Sequence, residues 1–249
     1  MKDIGLVKLL LVLLLGAVGA CSSLPLPPEP TQVMVIAAIH SGHSQNPRYS
    51  YDDLFTVVSD FSPDIVAVEI RQEDLGRDAT YLERNYPFEM VELARRYGPA
   101  ARGIDWLGEE LEGRPVPENW WRESSWVKRL ERERREDSSV QTPRADALQN
   151  QQSAILDGAT AASLNDGRYD AVTRAYYRAL AEELAGTHYA RLGAFYAERD
   201  QRIAARVNQI VKDNPGQRIA VVLGADHRAS VMEELTRLPS PRLLIVPIR

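Results

Sequence analysis

Cysteine is almost missing from this 249-residue chain, where Cys21 is the only one. An intrachain disulfide and a thiolate metal cage are therefore both excluded, whatever the redox state of the compartment. A positive excess is missing too. Thirty Lys and Arg against 35 Asp and Glu give a formal net charge of −5 at pH 7, and no basic stripe stands out. That balance argues against nucleic acid as a partner. Long apolar runs are lacking after the first twenty residues, and no internal repeat is visible. Histidine is scarce, with four in all, so the placing of each one matters.

The first twenty residues read as an address label. Lys2 and Lys8 make a positive start, Leu9 to Val18 is apolar, and Gly19-Ala20 supplies small residues for cleavage. The apolar run is too short to span a bilayer. Val18-Gly19-Ala20-Cys21 resembles the bacterial lipoprotein signal, which implies that Cys21 is lipidated and becomes the mature N-terminus. Ser22 in place of aspartate implies release to an outer membrane, where the organism has one. The expected location is the bacterial cell envelope, on the periplasmic face, with the membrane reached through the lipid. Residues 21–32 read as a proline-rich, semi-rigid tether. Residues 33–249 are enough for one α/β domain and too few to require two.

Two short runs dominate that domain. Val33 to His40 and Ile219 to His227 are β-branched and apolar, as strands buried on both faces of a parallel sheet are. Ile65 to Ile70 reads as a further strand, Arg102 to Leu107 as a short one and Leu243 to Val246 as the last. Helical spacing covers Tyr51 to Phe61, Pro87 to Tyr97, about His188 to Lys212, and Ser230 to Leu238. This order predicts a largely parallel central sheet flanked by helices. Residues 115–187 break the rhythm and read as a helical insertion packed over the strand C-terminal edge. Trp120, Trp121 and Trp126 within it are expected to anchor to the core.

Ligands in open α/β sheets bind outside the carboxyl ends of the strands. His40 and His227 fall there, from opposite ends of the chain, and an imidazole serves as general base or metal ligand near neutrality. His43 lies three residues on, in a loop able to fold back, whereas His188 is far from any strand end. Glu69 sits in Val66-Ala67-Val68-Glu69-Ile70, too apolar for a solvated face, so its charge must be paired, hydrogen-bonded or metal-bound. Asp105 repeats that placement on the third strand. Arg199 shares a helix face with Ile203, Val207 and Ile210 and so points to the buried side. Glu69, Asp105 and Asp226 are its available partners. It could clamp a substrate oxyanion or form a structural ion pair.

At these residues the chain resembles the superfamily joining TraB and Tiki proteins, haem-binding ChaN-type lipoproteins and erythromycin esterases. TraB and Tiki members carry two Gly-x-x-His motifs, a Val-Glu strand end and an Arg-Asp or Arg-Asn pair on a late helix. Here Gly224-Ala225-Asp226-His227, Val68-Glu69 and Arg199-Asp200 match, while Ala37-Ala38-Ile39-His40 has alanine in place of the first glycine. Gly103-Ile104-Asp105 resembles the corresponding strand of esterase and ChaN-type members. The resemblance implies an α/β fold of this superfamily and, for Tiki-like members, metal-dependent peptide hydrolysis. On this reading His40, Glu69 and His227 hold Mn, Co or Zn, and Arg199 stabilises charge on the oxygen of a peptide or small-molecule substrate. His40, Glu69, Arg199 and His227 are then the expected catalytic set, with His43 and Asp105 as further cofactor-binding candidates. The alternative is a non-enzymatic haem- or ligand-binding lipoprotein of ChaN type, with His43, Tyr49 or Tyr51 as axial ligand.

Overall fold

The computed structural model describes residues 29–237 and 243–248. The leader, Cys21 and most of the tether lie outside the described residues. The tether is shorter than expected at its far end, because the first strand, β1 (Thr31–Ala38), begins inside it. Gln32 already pairs with Arg218 there.

The chain continues through α1 (Tyr51–Phe61), β2 (Ile65–Val68), α2 (Ala79–Asn85), α3 (Phe88–Tyr97) and β3 (Ala101–Gly103). The helical block follows as α4 (Trp126–Glu136), α5 (Pro143–Asp157), α6 (Ala161–Leu164) and α7 (Arg168–Glu183). Then come α8 (Ala190–Asp213), β4 (Arg218–Gly224), α9 (Ala225–Arg237) and β5 (Leu243–Ile245). The five strands form one sheet in the order β3-β2-β4-β1-β5, and every pairing is parallel. The fold is α/β.

Alternation along each strand divides the core between two faces. Met34, Ile36, Val66, Val68, Ala220 and Val222 point to one side and pack with Leu54, Val58, Met90 and Leu93 of α1 and α3. Val33, Val35, Ile65, Ala67, Ile219 and Val221 point to the other, against Ile203, Val207 and Ile210 of α8 and Val231 and Leu235 of α9. The helical block has a satellite core of its own around Val127, Leu180, Leu192 and Phe195.

Local chemistry sets the boundaries. Ser50 and Asp53 cap each other's backbone N–H at the start of α1, and Ser62 ends that helix in the left-handed region. Helix α2, absent from the sequence reading, is opened by Asp78, whose side chain accepts from Tyr81 N–H. Helix α9 begins at the strand end itself, five residues earlier than its periodicity suggested, so His227 lies in a first helical turn.

The helical block is tied to the C-terminal edge of the sheet. Ala37 N–H donates to Asn165 Oδ1 at 2.9 Å, Tyr169 Oη donates to Asp226 at 2.7 Å, and buried Arg228 pairs with Asp170. Among the described residues no helix is long and apolar enough to cross a membrane.

Candidate active site

Parallel strands deliver their C-terminal ends to one edge, and the strand order fixes who sits beside whom. Asp105 follows β3, Glu69 follows β2, Gly224 ends β4 with His227 just after it, and His40 follows β1. Arg199 reaches this row from α8, on the buried stripe predicted by its spacing.

The guanidinium is the hub. Nη2 donates to Glu69 Oε1 at 2.7 Å and lies 2.8 Å from Asp105 Oδ1. Nε donates to Asp105 Oδ1 at 2.9 Å and to the Trp106 carbonyl at 3.2 Å. Nη1 lies 2.9 Å from His227 Nε2. The Trp121 ring covers the guanidinium, its centroid 4.8 Å from Cζ. Of the partners expected for Arg199, Asp226 is not one: it accepts from Tyr169 and Gln152 instead.

Burial alone would push the Glu69 carboxyl up. His227, Arg199 and His40, with the Gly224 N–H at 2.5 Å from Oε2, outweigh it and hold Glu69 at about 2. Asp105 goes the other way: burial raises it, against the pull of Arg199 and with the push of the Glu69 charge beside it. Two carboxylates sharing one cation are driven apart in this manner. His227 Nδ1 lies 2.5 Å from Asp200 Oδ1, whose other oxygen accepts from Ser230. Burial and Arg199 disfavour the imidazolium, while Glu69 and Asp200 favour it and raise its pKa. Nη1 of arginine is only a donor, so in the neutral ring Nε2 accepts from it and the proton sits on Nδ1, while the imidazolium that helps hold Glu69 low forms as pH falls.

His40 is built differently. Its backbone is left-handed at φ 50°, unusual for a residue with a Cβ, and such outliers gather at functional sites. Nδ1 lies 2.7 Å from Oε1 of Glu89, which is fully buried on α3. Burial lowers the imidazole pKa, but the Glu89 hydrogen bond and the nearby Glu69 charge more than offset it and raise it. The His40 side chain is 39 % exposed. Its Nε2 has no protein partner among the described residues and lies over Gly224, where an added Cβ would come within 2.6 Å of it.

His40, Glu69, Asp105 and Arg199 line one cleft of about 570 Å³, walled by Tyr51, Phe88, Trp120 and Trp121. His227 stands behind them, lining a recess of about 130 Å³ with Tyr169, Asp226 and His40, which borders both spaces. The predicted catalytic set is thus brought together at one sheet edge. As a ligand set for Mn, Co or Zn, however, His40, Glu69 and His227 do not fit. The donor atoms of Glu69 and His227 close on the Arg199 guanidinium, which fills with its own charge the place a metal would take. Among the described residues no group of three His, Cys, Asp or Glu side chains is arranged to hold a metal ion.

The first loop also differs from its reading as a source of cofactor ligands. His43 is buried, its Nε2 accepting from Ile39 N–H at 3.0 Å and its Nδ1 lying 2.8 Å from the Tyr49 carbonyl. Tyr49 Oη donates to the Ala37 carbonyl at 2.7 Å. Both side chains are spent on folding the loop, which leaves haem only Tyr51 of the three named ligands. His188 is exposed. Trp120 is buried as expected, yet with Trp121 it also walls the cleft.

Glu89 was missed by the sequence reading. It precedes Leu93 by four residues and so shares the buried stripe of α3, a signal of the same kind that marked Glu69.

No family model, no curated protein and no solved structure matches the chain.

Proposed function

We propose that this protein is a hydrolase of ester or amide bonds in which His40 is the general base, held in the cell envelope by a lipid on Cys21. One observation carries the reading: His40, on the wall of the cleft, has an Nε2 without a protein partner among the described residues while a buried carboxylate, Glu89, holds its Nδ1. A base oriented by a third group is the common logic of such sites. The resemblance to TraB, Tiki and esterase proteins points to hydrolysis as well, for Tiki-like members by way of a metal that this proposal does not use.

His40 takes a proton from water as the water oxygen attacks the acyl carbon and the carbonyl electrons move to oxygen. The imidazolium so formed stands near two carboxylates, Glu89 and Glu69, which stabilise it. It returns the proton to the leaving oxygen or nitrogen as that bond breaks. Arg199 lines the same cleft as a donor toward the oxyanion, its charge shared with Glu69 and Asp105. Its fixed partners make it rigid, so little reorganisation accompanies the step. No step passes through a metal. The leader and Cys21 support placement in the envelope.

A panel of 4-nitrophenyl esters and aminoacyl 4-nitroanilides tests the reading, run with and without a chelator. Turnover is expected in the wild type, indifferent to chelation, and lower by about 10²–10⁴-fold per folded molecule in His40→Asn. Equal turnover in His40→Asn, or none in the wild type, overturns it.

A further inference from the structure

The mouth of the cleft is unlike its floor. On the floor, the charge of Arg199 is matched by Glu69 and Asp105. At the mouth stand Arg84, Arg122 and Lys128, with Glu83 as the opposing charge. Arg84 and Arg122 are exposed and form no ion pair among the described residues. Lys128 is matched by Glu131 at 2.9 Å, so the excess rests on Arg84 and Arg122 against Glu83. The rim is therefore net positive on a protein whose overall charge is −5. A local excess against the global sign focuses the field on an anion.

Between rim and floor the walls are aromatic. Phe88 is 56 % exposed, and among the described residues only Leu244 is another large apolar side chain left so open. Phe88 stands edge-on to Tyr51, ring centroids 4.9 Å apart, and faces Trp120 and Trp121 across the cleft. The indole N–H of Trp120 is buried with no acceptor among the described residues, a donor in want of an oxygen. Water gains little from such walls, whereas a flat apolar group would bury them.

We propose, building on the hydrolase reading, that the substrate is an anionic acyl compound: an apolar, flat body carrying a carboxylate that Arg84 and Arg122 recognise. The acyl carbon then lies at His40 and the negative end at the rim. Arg84 and Arg122 are specificity-determining residues and take no part in the bond-making step.

Two measurements separate this inference from the reading it builds on. The first is binding alone, by isothermal titration calorimetry of 4-phenylbutyrate against 4-phenylbutanamide. The carboxylate is expected to bind at least ten-fold tighter, and the double variant Arg84→Ala/Arg122→Ala to lose that preference. His40→Asn should keep it, so the preference survives even if the hydrolase reading fails. The second is turnover of 4-nitrophenyl hemisuccinate against its neutral isostere, 4-nitrophenyl 4-methylpentanoate. Arg84→Glu/Arg122→Glu should raise KM for the anion at least ten-fold while kcat/KM for the neutral ester stays within two-fold. Equal binding of acid and amide, binding of neither, or equal loss on both esters overturns the proposal.

Discussion

The carbon that Gly224 lacks would lie 2.6 Å from Nε2 of His40 and 3.2 Å from Oε2 of Glu69. Two strands that pair in register, Ala38 against Gly224, thereby let an imidazole from one settle on the bare backbone of the other. Gly224 serves the close approach alone, for its backbone conformation is one any residue adopts. The obstacle to a side chain is a movable imidazole tip. At Gly103, by contrast, the clash is with the backbone of Ile70 and Gln72.

Gly224→Ala is accordingly expected to fold, at a cost of about 1–3 kcal/mol for overpacking. His40, being partly exposed, swings outward, and a misplacement of this size lowers turnover by about 10²-fold. Gly103→Ala should lose more stability and less activity per folded molecule. Thermal melts beside active-fraction assays decide this, and a Gly224→Ala enzyme with wild-type turnover would show that His40 has no fixed place.

Glu89 acts through His40, and its signature is a pH profile. The pair raises the imidazole pKa above its ordinary 6.5. The base form therefore appears only above that raised value, and the acidic limb of the rate profile lies above pH 6.5. Glu89→Gln removes the charge and keeps the shape, so the limb should move to lower pH while kcat falls about ten-fold at high pH, less than the ~10²–10⁴-fold for losing the base itself. The sign for stability is the reverse. A raised folded pKa stabilises below the unfolded value and loses that contribution as pH rises through the folded one. The wild type should thus lose its melting advantage over Glu89→Gln between pH 6.5 and the top of that limb. A limb that stays in place would leave Glu89 a purely structural residue.

Arg199 and Glu69 differ in what their removal strands. Arg199→Ala leaves Glu69, Asp105 and His227 facing one another with no cation, and losing one partner of a buried pair costs about 3–5 kcal/mol. Glu69→Gln leaves Arg199 with Asp105 and relieves the repulsion that raises Asp105, so about 1–3 kcal/mol is expected, the scale of an unsatisfied buried group. Chemical denaturation of the two variants checks the order. A larger loss for Glu69→Gln would mean that the Gly224 contact outweighs the ion pair.

Much of this site was legible in the sequence because it is written in local patterns. Histidines at the ends of apolar runs, a carboxylate inside Val66–Ile70 and an arginine on the stripe of Ile203, Val207 and Ile210 each break a period in a place where breaking it is costly. The parallel sheet followed from the same runs. Partner choice was not legible. Only the order β3-β2-β4-β1 puts Asp105 and Glu69 around Arg199 and leaves Asp226 to Tyr169. That encirclement is why the metal reading does not fit the donors. His43 misled because three residues of spacing in a loop say nothing of direction: its ring turns inward to Tyr49 and Ile39.

The proposed lipid anchor has a test independent of the fold. Cys21→Ala in the full chain should abolish incorporation of a palmitate analogue and move the protein from the membrane pellet to the soluble fraction. A membrane-bound, unlabelled Cys21→Ala protein would point to an uncleaved leader as the anchor.

Acid unfolding offers the last prediction, because Glu69 and Asp105 pull in opposite senses. Glu69 is held at about 2, below its ordinary 4.5, so its contribution is full above pH 4.5 and is lost as pH falls through 2. At 1.36 kcal/mol per unit that contribution is about 3 kcal/mol. Asp105, raised above 3.8, gives the reverse: ionising it costs stability as pH rises above that value. Between pH 4.5 and 2 the wild type should therefore lose less stability than Glu69 alone would dictate. Removing one carboxyl at a time resolves the two. Glu69→Gln should flatten the acid side of the curve of unfolding free energy against pH, and Asp105→Asn should steepen it. Parallel curves for all three proteins would mean that the pair does not divide its charge around Arg199 in this way.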